Sequence, residues 1–351
     1  MGSGSRADGD DPGDGRSARP PTIYDVAQAA GVSHQTVSRF LRGFEGIRPE
    51  TRERVTAALD ELGYRPNLTA RSLKSGRSHR LGALTHDLSH VGPSRIAAGA
   101  SVAAREAGYV LDLVAIDVHD ARSIQESLNM LAQHSLAGVL ALASTDEMLR
   151  AFRETWFGVP FHVHAEADDS GTRTSDVSGS GIPTLVAHLA ELGHRDFVHI
   201  AGPADWSASR NRQRGFDAAM VRAGLRAAPP LIGDWSAGSA YDAIASLSEL
   251  PDATAYLAAN DQMALGAMLA LKHRGLRVPA DVSVVGIDDI PEAAYFDPPL
   301  TTLHIDFEAR GRESVAALLA KIDGDSLPMP RVPPPALVVR ASSGPARAPW
   351  S

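Results

Sequence analysis

Two short helical periods, three residues apart, constrain this chain more than any other feature. They lie in TIYDVAQAAGVSHQTVSRFLRG, residues Thr22 to Gly43. Ile23, Val26, Ala27 and Ala30 repeat at the spacing of one helix face, and Val37, Phe40 and Leu41 repeat on a second. Thr22 suits the N-cap of the first helix, with Asp25 near its positive end. Gly31 suits a left-handed turn, and Ser33 suits the next cap. Pro49 then opens a third helical stretch, in which Val55, Ala58, Leu59 and Leu62 are apolar and which Gly63 ends. Three short helices around so tight a turn predict a helix-turn-helix with a small core.

Such a motif offers the start of its second helix to base edges in the major groove of DNA. Those positions are Ser33, His34, Gln35, Thr36 and Arg39. Gln can bond adenine through two atoms and Arg can do the same with guanine. The hydroxyls of Tyr24 and Thr36 suit phosphate instead, which sets position rather than sequence. Taken one residue at a time, each also fits a solvated helix face. The local charge argues for a polyanion. Between Arg19 and Arg80 there are eleven Lys or Arg against six Asp or Glu, in a chain of net charge −8. A basic head on an acidic body points to nucleic acid at the head alone, although a charge run can simply be solvated.

The segment YRPNLTARSLKSGRSHRLG follows. Asn67 can cap a short helix there, in which Ala70 and Leu73 sit. Two readings stand: a linker, or a minor-groove element with Leu73 as an apolar wedge between base steps. Ahead of the motif, residues 1–21 are rich in Gly, Asp, Ser and Pro and are expected to be disordered. They contain no apolar stretch of the secretory kind. No apolar run reaches membrane-spanning length. The chain has no cysteine, which excludes disulfides, thiolate metal sites and thiol catalysis.

From Leu81 onward, short apolar runs alternate with helical stretches. RLGALTHDL, YVLDLVAID, LAGVLALAS, FVHIAGP, TAYLAAND and VSVVGIDD read as strands that end in polar residues. This predicts an α/β fold of parallel sheets covered by helices, in two lobes. In open parallel sheets, ligands bind beyond the carboxyl ends of the strands. In HVH, His162 and His164 share one strand face, but no third ligand has motif spacing to them, so no metal site is expected. No phosphate loop or serine-nucleophile elbow is present. Neither a catalytic residue nor a cofactor is expected.

The motifs TIYDVAQAAGVSHQTVSRFL, PETRERVTAALDELGYRPN and ARSLKSG stand in the order and spacing of the LacI/GalR family of bacterial transcription regulators, which the chain resembles from Thr22 to about Ser343. In the body, LGHRDFVHIAGP, RQRGFDAAM, AANDQMALGAMLALKHRGLRVPADVSVVGIDD and PPLTTLHIDFEARGRESV carry the same resemblance. Arg48 departs from it, standing where a capping Ser is common. After the tail over 1–21, the resemblance implies a helix-turn-helix over 22–66 and a hinge helix over 67–79. It implies a core over 80–344 shaped like periplasmic sugar-binding proteins, then a tail over 345–351. One lobe would span about 80–176 and 305–325, the other about 177–304 and 326–344. Operator contacts would fall to Tyr24, Ser33, His34, Gln35 and Arg39, with Leu73 prying open the central base step.

The resemblance also places an effector sugar among Arg212, Asn260 and Asp288, with Trp235 lining the site and Phe307 at its edge. His86 matches a pocket serine and Asp176 a pocket aromatic, so the pocket is expected to be more polar than is usual in the family. The chemistry suits a pyranose: charged and amide groups bond its hydroxyls, and an indole covers its C–H face. Plainer readings exist: Asn260-Asp261 as a helix cap, Asp288-Asp289 as a strand-end pair, Trp235 as core. The implied function is a cytoplasmic, nucleoid-associated repressor, released from a near-palindromic operator by a small carbohydrate of galactoside type. The ligand acting as a co-repressor, a sugar-transport module and a sugar-acting enzyme are the alternatives. Family tetramers carry a C-terminal leucine heptad; PALVVRASSGPARAPWS has none, so a homodimer is expected.

Overall fold

Thr22 starts the first helix as a capping box does. Its backbone N–H and hydroxyl both donate to Asp25 Oδ2, at 2.7 and 2.6 Å, and Asp25 N–H returns a bond to the Thr22 hydroxyl. In the computed structural model of the chain, helix α1 (Ile23–Ala29) is followed by α2 (His34–Leu41) and α3 (Pro49–Glu61). The structure describes residues 21–41, 43–64, 78–86, 88–116, 120–142, 145–164, 175–324 and 329–347. The expected disordered tail lies almost wholly outside them, and so do the hinge positions Asn67, Ala70 and Leu73.

The chain divides into two units, Met1–Arg77 and Ser78–Ser351. In the first, Gly31 turns the chain at φ 63°, where a Cβ would be strained. Val26, Ala27, Ala30, Val37, Val55 and Ala58 make the core, and Ile23, Phe40, Leu59 and Tyr64 pack around it. Arg48 precedes α3 without a side-chain cap; Pro49 occupies the first turn instead.

The second unit opens with a four-stranded, all-parallel sheet. Its elements are β1 (Arg80–Thr85), α4 (Val91–Glu106), β2 (Val110–Ala115), α5 (Ala121–Gln133), β3 (Gly138–Leu142), α6 (Asp146–Glu154) and β4 (Phe161–His164). The strand order is β2-β1-β3-β4. Alternation sends Leu140 and Leu142 of β3 to one face, with Ala97 and Ala100 of α4, and Val139 and Ala141 to the other, with Ile124 and Leu128 of α5. Both faces are covered, so the strand reads as a continuous apolar run.

A π-turn over Val177–Gly181 leads into the second lobe. There follow α7 (Ile182–Glu191), β5 (Asp196–Ala201), α8 (Ser207–Ala223), β6 (Arg226–Ala227), β7 (Leu231–Ile232), α9 (Ala237–Ala245), β8 (Ala255–Ala258), α10 (Asp261–His273), β9 (Ser283–Asp288) and β10 (Thr301–His304). The chain then lays α11 (Phe307–Asp323) back against the first lobe and returns as β11 (Ala336–Val338). The second sheet runs β11-β10-β9-β8-β5-β6, with β7 also beside β5, and only β11 is antiparallel. The last described residues are stitched to this lobe: Ser342 Oγ donates to Val284 O at 2.6 Å, and Ala346 N–H to Leu192 O at 2.8 Å.

Helix α11 reaches α4 at backbone distance. A Cβ on Gly99 would collide with the Glu308 carbonyl, and one on Gly311 with the Ile96 carbonyl. Below it, Val315, Leu318 and Leu319 join Leu81, Ala83 and Leu140 in one core cluster. Among the described residues, no helix is long and apolar enough to cross a membrane.

Candidate functional site

In the first unit, Ser33 caps α2. Its Oγ accepts from Thr36 N–H at 3.2 Å and lies 2.9 Å from the Thr36 hydroxyl. Ser33, His34, Gln35 and Arg39 are exposed, and Thr36 is half-buried above Val37, which is fully buried. Tyr24, 65% exposed, sets its ring 5.2 Å from that of His34. Arg39 lies 5.6 Å over the exposed Phe44 ring. The start of α2 and the Tyr24 ring therefore form one exposed surface of hydroxyl, amide, imidazole and guanidinium groups.

In the second unit, the carboxyl ends of both sheets meet at one cavity. It has about 790 Å³ of empty space, the open mouth included. His86 follows β1, Leu142 ends β3 and His164 ends β4. Trp235 lies beyond β7, Asn260 beyond β8 and Asp288 ends β9; Phe307 and Arg310 start α11. Six of the seven effector positions named from the sequence line this one cavity: His86, Arg212, Trp235, Asn260, Asp288 and Phe307. Asp176 does not. It is exposed at the start of the π-turn, and its backbone carbonyl accepts from Ser180 Oγ at 2.8 Å.

Arg212, 5% exposed, is the hub of the second-lobe wall. Its Nη1 donates to the Ala259 carbonyl, its Nη2 lies 3.5 Å from Asp288 Oδ1, and its guanidinium lies 5.4 Å from the Trp235 ring centre. Asn260 does two jobs. Its Oδ1 accepts from Met263 N–H at 2.8 Å, capping α10, while its Nδ2 donates to the Trp235 carbonyl at 2.9 Å. The capping and lining readings of Asn260 therefore hold together. Asp261, next to it, faces away from the cavity and accepts from Ile290 N–H at 2.9 Å. Burial first, then the Asp288 carboxylate, raises its pKa well above the usual carboxylate range.

Two wall residues have backbones that side chains seldom adopt: Trp235 at φ 76° and Asp288 at φ 119°. Gly202, just past β5, makes room for the first, since a Cβ there would come within 2.5 Å of the indole. Trp206 completes an aromatic wall. Its ring meets that of Trp235 at 5.5 Å and that of His86 edge-on at 4.8 Å. The indole N–H groups of Trp206 and Trp235, and Nε of Arg212 and Arg310, are buried without a hydrogen-bond partner among the described residues.

The sequence reading missed Trp206, His90, Arg310 and Gly202, and weighed His164 only as a metal ligand. The signals were present. Arg310 follows Phe307 by three residues on the same helix, which places both on one face. Trp206 and Gly202 lie in the loop after a strand already flagged. His164 Nδ1 pairs with Ser314 Oγ at 2.8 Å, and burial, then Arg310, lowers its pKa to about 4. Among the described residues, no three His, Cys, Asp or Glu side chains come together in a metal-binding group.

Both units have counterparts among known proteins. The family of bacterial regulatory proteins of the lacI type matches residues 22–67, and a periplasmic binding protein-like domain matches residues 186–343. The chain is 34% identical to the lactose operon repressor of Escherichia coli (strain K12), over 93% of this chain and 91% of that protein. It is 35% identical to the HTH-type transcriptional repressor PurR of Aliivibrio fischeri (strain MJ11), over 86% of this chain and 91% of that one. Its fold matches the crystal structure of the lac repressor dimer bound to operator and the anti-inducer ONPF, with a TM-score of 0.79 and 33% identity, covering 93% of this chain and 100% of that one.

Proposed function

The chain belongs to the LacI family of bacterial regulatory proteins, and from that premise we propose that it is a transcriptional repressor whose grip on operator DNA is set by a small carbohydrate. The observation that carries the reading is the pairing, in one chain, of an exposed polar helix start with a cavity whose walls suit a sugar ring. Two identical chains bind a near-palindromic operator, one helix-turn-helix to each half-site. Ser33, His34, Gln35 and Arg39 meet base edges, and the Tyr24 and Thr36 hydroxyls meet phosphate. Asn67, Ala70 and Leu73 belong to a hinge that enters the minor groove. The site of action is the chromosome in the cytoplasm.

In the cavity, Asp288, Arg212 and Asn260 bond ring hydroxyls, and the Trp235 and Trp206 faces take the C–H side. His86 and Phe307 bound the site from the first lobe. Asp176 is left out of this set, because its exposed place on the π-turn is outside the cavity lining. Ligand binds between lobes that already touch at the mouth. Arg210 of α8 pairs with Asp146 of α6 at 2.8 Å, and the backbones of Thr145 and Trp206 form a bridge. A ligand that tightens this closure changes the first lobe's position, and with it the spacing of the paired hinges.

The protein binds its sugar without turning it over. This reading follows the transcriptional repressors to which the chain is similar. The deciding experiment is operator-release titration with the full chain over a panel of mono- and disaccharides and purines. One carbohydrate is expected to weaken operator binding, by roughly 5- to 150-fold. A purine acting alone would overturn the sugar reading, and tighter operator binding with sugar would reverse its sense. Indifference to every compound, or no preference for any duplex over random competitor, would overturn the function.

A further inference from the structure

Among the described residues, the charges on the cavity wall do not balance. Arg212 and Arg310 line it, against the carboxylate of Asp288 alone, which already lies 3.5 Å from Arg212. The neighbouring Asp289 is engaged elsewhere, with Arg340 at 2.7 Å and His304 at 3.1 Å. Asp306, one turn ahead of Arg310, caps α11 through Ala309 N–H at 2.7 Å. The Arg310 guanidinium makes no ion pair or hydrogen bond with any described residue, and its Nε is buried. The three histidines in the lining do not supply the missing anion in either protonation state.

A half-buried guanidinium with no counter-charge among the described residues is costly, and it becomes more so when a ligand displaces the water around it. A neutral sugar would leave that cost in place. A carboxylate or phosphate removes it, because the planar fork of arginine accommodates either group through two parallel bonds. Arg310 comes from the first lobe and Arg212, Asp288 and Asn260 from the second. An anion on the sugar would thus tie the lobes together through charge, while the ring stays on the second-lobe wall.

We propose that the effector of this cavity is an anionic sugar, a ring or chain polyol whose carboxylate or phosphate pairs with Arg310 while its hydroxyls meet Asp288, Arg212 and Asn260. This rests on the carbohydrate reading above and narrows its class. The test is calorimetric titration of the full chain with matched sets: galactose, galacturonate and galactose 6-phosphate; glucose, gluconate and glucose 6-phosphate. An anionic member is expected to bind roughly tenfold or more tighter than its neutral counterpart, with an advantage that shrinks as salt is raised. The preferred arm tells carboxylate from phosphate.

Arg310→Met is expected to erase the advantage, bringing the affinity of the anionic member down to that of its neutral counterpart. Arg310→Lys, which keeps the charge and guards against misfolding of the first variant, retains part of it. Neutral sugars binding as well as the anions, or Arg310→Met weakening both equally, would overturn this proposal and leave the carbohydrate reading intact. No binding by any member, with operator binding preserved, would overturn both.

Discussion

Trp235 has a backbone conformation, φ 76°, that costs an L side chain about 1–3 kcal/mol. It persists because several neighbours define it at once. Asn260 Nδ2 donates to its carbonyl, Arg212 lies over its ring, and Gly202 backs the indole where no Cβ could stand. Asp288, at φ 119°, is a second strained residue on the same wall. Strain kept at two ligand-facing positions and supported from behind is what preorganisation of a binding site requires. Gly202→Ala is expected to push the indole into the cavity, weakening effector binding roughly tenfold while costing about 1–2 kcal/mol of stability. Ligand titration beside urea unfolding checks this. Unchanged affinity would mean that the indole does not face the ligand. The strain was not legible in the sequence: GDWSAGSAY marks a turn and a cap, but a positive φ at the tryptophan depends on contacts from β5 and α10, distant in the chain.

At the scale of elements, periodicity located most of the frame. The small core of the first unit and the alternating strands of the second follow from apolar spacing that burial then satisfies. What periodicity leaves open is which sheet a helix covers. EARGRESVAALLAKID reads as an amphipathic helix on any account, yet only its glycine explains how close it comes to α4. Gly311 opposite the Ile96 carbonyl, and Gly99 opposite that of Glu308, let the two helices touch backbone to backbone. The two-residue strands β6 and β7 escaped the sequence reading because so short a run has no period to detect. Phe307 and Arg310 stand on the first turn of this same helix, so its seating also sets the first-lobe wall of the cavity. Gly311→Ala is expected to force the helices apart and destabilise the second unit by about 2–3 kcal/mol, read as a lower urea midpoint. Loss of effector response with operator affinity retained would follow from the displaced wall, and an unshifted midpoint would show that the pair can relax freely.

At the scale of the whole molecule, two linkages act. One is with protons. Burial, as the largest cause, lowers His164 and His199 to about 4 from the ordinary 6.5. The unfolded chain protonates both at the higher pH, so it binds more protons between about pH 6.5 and 4, and stability falls as pH drops through that window. Each site accounts for about 3 kcal/mol across it. Asp261, with a raised pKa, works in the opposite sense, so the informative quantity is a difference. Urea unfolding of the protein and of His199→Leu should show the protein losing stability relative to the variant as pH falls from 7 to 4, and parallel curves would contradict the assignment.

The other linkage is between operator and effector. A ligand lowers DNA affinity only by as much as it prefers the released state, so operator must lower ligand affinity by the same factor. The factor measured by operator release and the factor measured by ligand titration with and without saturating operator are therefore expected to agree. A coupling of about 1–3 kcal/mol is typical of such systems. Removing the ligand's differential contact, as Arg310→Met does for an anionic sugar, should reduce both factors together. If operator release depended strongly on ligand while ligand affinity ignored operator, the two sites would not share a conformational equilibrium, and release would have to come from ligand binding elsewhere on the chain.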